Sequence, residues 1–64
     1  MRVNGEIFEF GDKMTVSDLL KKMAYEESQV AVELNFEILQ RAEFSNRILK
    51  EDDSLEVVRF VGGG

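Results

Sequence analysis

The sequence closes on Val61-Gly62-Gly63-Gly64, and the group best suited to chemistry is the α-carboxylate expected on Gly64. Glycine has no Cβ to restrict φ, so this tail can thread a narrow channel in almost any backbone conformation. An α-carboxylate has a reference pKa of about 3.5; it is ionised at neutral pH and is a poor acyl donor until activated. Other reactive groups are scarce. The 64 residues contain no cysteine and no histidine. That excludes a disulfide scaffold and a thiolate zinc site, and removes the commonest general base and metal ligand. The carboxylates of Glu26-Glu27 and Glu51-Asp52-Asp53 lack the alternate-residue spacing and closing glutamate of a calcium loop and read as solvated turns. Neither a catalytic residue, a metal site nor a cofactor bound by the chain itself is expected. The competing reading of the tail is a frayed end with no role.

The elements before the tail must position it. Arg2-Val3-Asn4-Gly5-Glu6-Ile7-Phe8-Glu9-Phe10 reads as a hairpin, because Asn-Gly suits the two positive-φ positions of a type I′ turn. Phe8 and Phe10 alternate with Glu9, the period of a half-buried strand. Thr15-Val16-Ser17-Asp18 opens a helix, with Thr15 as N-cap and Asp18 three residues on. Val16, Leu19, Leu20 and Met23 share one face, and the helix is expected to end near Tyr25. Val30-Ala31-Val32-Glu33-Leu34 is a strand, Asn35-Phe36 a turn and Glu37-Ile38-Leu39 a brief strand. Residues 40–47 read as a loop with one helical turn anchored by Phe44, and Ile48 and Leu49 as a return to the core. Leu55 to Val61 forms the last strand and runs directly into the glycines.

One helix, an early hairpin and later strands describe an α+β domain, a mixed sheet with the helix packed across one face. The last strand is apolar on both faces, which suits a central position. Pairing in parallel beside the first strand needs a helical crossover, and the chain offers one helix for it. This is the ubiquitin-like β-grasp, with residues 1–61 as the domain and 62–64 as a flexible tail. On the last strand Leu55 and Val57 are expected to face the helix. Val58 and Phe60 then form an apolar patch on the open face, a candidate partner-binding surface beside the tail.

The net charge of −5 lacks the basic footprint that nucleic-acid binding requires and favours a basic groove on a protein partner. Arg41, Arg47 and Arg59 are expected to serve solubility. No stretch has the length and apolarity of a membrane span, and the amino-terminal residues do not form a secretory signal. A cytoplasmic monomer that binds neither nucleic acid nor membrane is expected.

Asn4-Gly5, Thr15-Val16-Ser17-Asp18-Leu19-Leu20, Val30-Ala31-Val32, Asn35 with Glu37-Ile38, and Glu56-Val57-Val58 through Phe60-Val61-Gly62-Gly63-Gly64 occur in the order and spacing of the ThiS family. The chain resembles these sulfur carriers of thiamine biosynthesis over nearly its whole length. It departs in three loops: Phe36 stands where the family often has Gly, Gln40 where it often has Pro, and Asp52 where it often has Gly. Phe at positive φ is costly, so a different turn type is expected at Asn35-Phe36. The resemblance implies a carrier that is not itself an enzyme. A ThiF-like adenylyltransferase would use ATP and Mg to adenylate Gly64, with Gly62 and Gly63 lying in the partner's active site. A sulfur donor protein would lead to the thiocarboxylate, and a ThiG-like thiazole synthase would take the sulfur. The related alternatives are a MoaD-like molybdopterin carrier and a ubiquitin-like interaction module with an incidental tail.

Overall fold

The computed structural model describes residues 1–9 and 13–60. Phe10, expected to extend the second strand, and the Val61–Gly64 tail lie outside the described residues. The strands are β1 (Arg2–Val3), β2 (Glu6–Ile7), β3 (Val30–Leu34), β4 (Glu37–Leu39) and β5 (Ser54–Arg59), with the helix α1 at Val16–Lys22. Short 3₁₀ turns lie at Glu27–Gln29 and Arg41–Glu43. The sheet order is β2-β1-β5-β3-β4. β5 is central, parallel to β1 and antiparallel to β3. The β-grasp expected from the sequence is the observed fold.

The helix begins where its cap is built. The Thr15 side chain accepts from the Asp18 N–H at 3.0 Å, and Asp18 Oδ2 accepts from the Thr15 N–H at 3.1 Å. This reciprocal pair satisfies two of the donors a helix N-terminus leaves open. The helix ends at Lys22, not near Tyr25. Ala24 turns left-handed at φ 63, with Ala24 N–H donating to Lys21 O at 3.0 Å and Tyr25 N–H to Leu20 O at 2.8 Å. That is the Schellman arrangement, here with alanine where glycine is usual.

Val16, Leu19 and Leu20 are fully buried and form the core with Val3, Val30, Val32, Leu34, Phe44, Leu49, Leu55 and Val57; Met23 packs against its edge. Burying each such side chain fully contributes about 1.5–3 kcal/mol before cavity effects. Phe44 anchors the loop after β4 as expected, following the Arg41–Glu43 turn. Ile48 does not return to the core. It bridges to Thr15 at the cap of α1 and stays 44% exposed, and only Leu49 turns inward. β2 stops at Ile7; Phe8 packs partly against the core and donates its N–H to Met1 O at 2.9 Å.

Both hairpins use two-residue turns. Val3 pairs with Glu6 around Asn4-Gly5, and Leu34 pairs with Glu37 around Asn35-Phe36. Their φ values match: 52 and 84 in the first turn, 52 and 71 in the second. The expectation that Phe36 avoids positive φ is therefore corrected. The register leaves only two residues to reverse the chain, and the twist of the flanking strands demands the positive-φ turn whatever residue occupies it. For most residues with a Cβ, asparagine and aspartate being the tolerant exceptions, the left-handed region costs roughly 1–2 kcal/mol, which Gly5 escapes and Phe36 does not. Asp52 is not at positive φ, so the turn before β5 needs no glycine.

Candidate functional site

The candidate site is the exit of β5 and the sheet face beside it. β5 is held from both sides. Its register with β3 runs from Val30↔Arg59 to Leu34↔Leu55, and with β1 it pairs Arg2↔Ser54 and Val3↔Leu55. Because β1 is so short, the parallel ladder ends early, and the Asn4 side chain takes over. Asn4 Oδ1 accepts the N–H of Val57 at 2.7 Å. At the tail end, the Phe60 N–H donates to Gln29 O at 2.8 Å, and the Arg59 guanidinium lies 5.2 Å from the centre of the Tyr25 ring. That is cation–π range. The last described residue before the tail is thus held by the 3₁₀ turn that precedes β3.

The start of β5 is clamped by a buried carboxylate. Asp53 is only 4% exposed, contrary to the solvated turn expected for Glu51-Asp52-Asp53. Its Oδ1 accepts from Asn35 Nδ2 at 3.0 Å, its Oδ2 from the Lys50 N–H at 2.8 Å, and Arg47 stands 3.6 Å away. Asn35 Oδ1 in turn accepts the Ser54 N–H at 3.0 Å. A buried carboxylate is tolerated when it is bonded in this way, and among the described residues no buried side-chain polar atom lacks a partner. Sequence reasoning missed Asp53, Asn4 and Asn35 as braces. The available signal was asparagine in both hairpin turns, since its side chain both tolerates positive φ and bonds outside the turn.

Leu55 and Val57 face the helix and are buried, whereas Val58 and Phe60 are 56% and 58% exposed on the other face. The expected division of the strand is observed. The register also puts Ala31 opposite Val58, Glu33 opposite Glu56, and Ile38 beyond Glu33 on β4. The open face therefore mixes exposed apolar side chains with two carboxylates directly opposed, a destabilising arrangement in an isolated sheet. The Asp18 carboxyl at the helix cap is held below its ordinary range, chiefly by the Thr15 N–H and then by the Thr15 hydroxyl. It lies outside this face. The predicted tail residues Gly62, Gly63 and Gly64 lie outside the described residues; what is described is the strand that delivers them.

The ThiS family model matches residues 1–64. The chain belongs to the ThiS family. Within that family it is 40% identical over 53 residues to the sulfur carrier protein ThiS of Bacillus subtilis, covering 83% of this chain and 80% of that protein. The crystal structure of the thiamine biosynthesis protein ThiS from Geobacter metallireducens superposes with a TM-score of 0.79 at 33% identity, covering 98% of this chain and 96% of that one. A thiazole synthase of Paramagnetospirillum magneticum is 39% identical over 62 residues, which are 97% of this chain and 19% of that protein. The chain thus spans about a fifth of the length of that relative. ThiS members are sulfur carriers of thiamine biosynthesis, and this chain has their ubiquitin-like fold.

Proposed function

We propose that the chain carries sulfur on the carboxylate of Gly64 for thiazole formation. In this reading a ThiF-like adenylyltransferase, using ATP and Mg, joins AMP to the carboxylate and releases pyrophosphate. A persulfide sulfur of a donor protein attacks the acyl carbon, forming a C–S bond as the C–O bond to AMP breaks. A thiol then attacks the donor-side sulfur of the resulting acyl disulfide, so that the donor leaves as a disulfide with that thiol and Gly64 keeps the sulfur as a thiocarboxylate; a ThiG-like thiazole synthase takes that sulfur. The chain is a protein substrate in these steps, and the nucleotide, magnesium and reacting side chains belong to its partners. Cytoplasm, where ATP is abundant, is the compartment proposed. Among the described residues no helix is long and apolar enough to cross a membrane.

The observation that carries this reading is the central, doubly braced β5 running toward the glycines. A rigid strand aims the tail, and the glycines give the acyl carbon freedom to reach its reacting geometry in a narrow site. Ordering them costs about 1–2 kcal/mol per residue, so the folded face beside the tail must add affinity. Val58 and Phe60 are the proposed contacts. Likeness to a thiazole synthase favours the thiazole pathway over molybdopterin. The test is intact mass after incubation with the adenylyltransferase, ATP, magnesium and a sulfur donor. The chain gains the sulfur-for-oxygen difference, and a chain lacking Gly64 does not.

A further inference from the structure

Phe36 sits at the tip of the β3–β4 hairpin, 89% exposed and at φ 71. Neither folding nor solubility accounts for it. The equivalent position of the other hairpin holds Gly5, at φ 84 with nothing within 4 Å of where a Cβ would stand. Two turns of the same geometry thus hold a strain-free glycine in one case and a strained, solvated aromatic in the other. Beside the tip Ile38 is 64% exposed. The opposed pair Glu33 and Glu56 follows, and then Val58 and Phe60 at the tail end. Among the described residues neither Glu33 nor Glu56 takes part in an ion pair. From Leu34↔Leu55 to Val30↔Arg59 the ladder covers four residue steps, about 13 Å at ~3.3 Å per residue.

We propose that Phe36 is a second docking anchor, remote from the tail, for the enzyme that activates the carboxylate. That partner presents an apolar pocket for the Phe36 ring and a lysine or arginine between Glu33 and Glu56. The inference rests on the carrier reading and deepens it. Every protein chain ends in a carboxylate, so an activating enzyme selects its substrate by the folded surface, and activation is the step where that selection is required. The opposed carboxylates set the partner's charge, because a cation placed between them turns a repulsion into two charge-assisted bonds. Aromatic residues, phenylalanine among them, are enriched in the core of protein interfaces, well-packed desolvated pockets are where hot spots lie, and two contacts flanking the charged pair fix the orientation of the tail.

The full-length chain and its F36G, F36N and E33Q/E56Q variants are titrated by calorimetry against the purified adenylyltransferase without ATP. Urea unfolding of each is measured in parallel. F36G and F36N, which suit positive φ, unfold at the same or higher urea than the parent. Both bind at least about thirtyfold more weakly, and the double variant binds more weakly with a flatter salt dependence. Affinity of both Phe36 variants within about twofold of the parent overturns the anchor. So does weakened binding to the thiazole synthase alone. If the parent chain gains its sulfur while the Phe36 variants bind normally, only this inference fails. If the parent is never modified with all components present, the carrier reading fails and takes the anchor with it.

Discussion

Replacing Asn4 tests whether β5 is held by the brace described above. Asn4 Oδ1 is the acceptor for the Val57 N–H at 2.7 Å, and Val57 is 7% exposed. Glycine at position 4 keeps the φ of 52 without strain but removes the acceptor. An N–H left unsatisfied near the core costs about 1–3 kcal/mol. The added freedom of glycine in the unfolded chain costs about 0.4–1 kcal/mol more. N4G is therefore expected to lose about 2 kcal/mol. With a urea dependence near 1 kcal/mol/M for a domain of this size, the midpoint falls by about 2 M. N4A adds the left-handed penalty of roughly 1–2 kcal/mol and falls further. N4D keeps an acceptor oxygen and stays nearest the parent. Equilibrium urea unfolding followed by circular dichroism gives these midpoints, and amide exchange reports the Val57 N–H directly. An N4G midpoint equal to that of the parent, with Val57 protection unchanged, refutes the brace.

Three further outcomes follow from the same geometry. Ala24 stands left-handed at φ 63 in the helix C-cap, so A24G relieves roughly 1–2 kcal/mol against about 0.4–1 kcal/mol of unfolded-state entropy; thermal unfolding should show a net gain of a few tenths to 1 kcal/mol. Asp18 has its folded pKa lowered by the Thr15 N–H. Its contribution is fully present above the ordinary aspartate value and is lost as pH falls through the lowered one. The stability difference between the parent and D18N should shrink below about pH 4, and a difference that grows there contradicts the cap. Val58 and Phe60 are more than half exposed, so V58S and F60S should change the unfolding free energy by less than about 0.5 kcal/mol while slowing Gly64 modification at limiting chain concentration.

The elements that carry the tail were legible because their signals are local. Thr15 and Asp18 announce the cap, and Val16, Leu19 and Leu20 repeat at the helical period in a chain with one helix to cover its sheet. The central place of β5 followed from its apolar residues on both faces. What stayed hidden depends on pairings across the fold. The burial of Asp53 is set by Asn35, 18 residues away. The positive φ of Phe36 follows from the Leu34↔Glu37 register, which overrides the residue's own preference. Ile48 is apolar and adjacent to Leu49, but its bridge to Thr15 leaves it outward. At the site, Val58 and Phe60 were readable from strand alternation. The opposed Glu33 and Glu56 required the β3–β5 register.

Sulfur carriage on Gly64 is tested most directly by the intact mass of the chain after reaction with adenylyltransferase, ATP, magnesium and sulfur donor, with fragmentation to locate the change. A sulfur-for-oxygen gain confined to Gly64 is expected, absent when Gly64 is deleted and dependent on ATP. A parent chain that stays unmodified under these conditions, or one modified elsewhere, contradicts it.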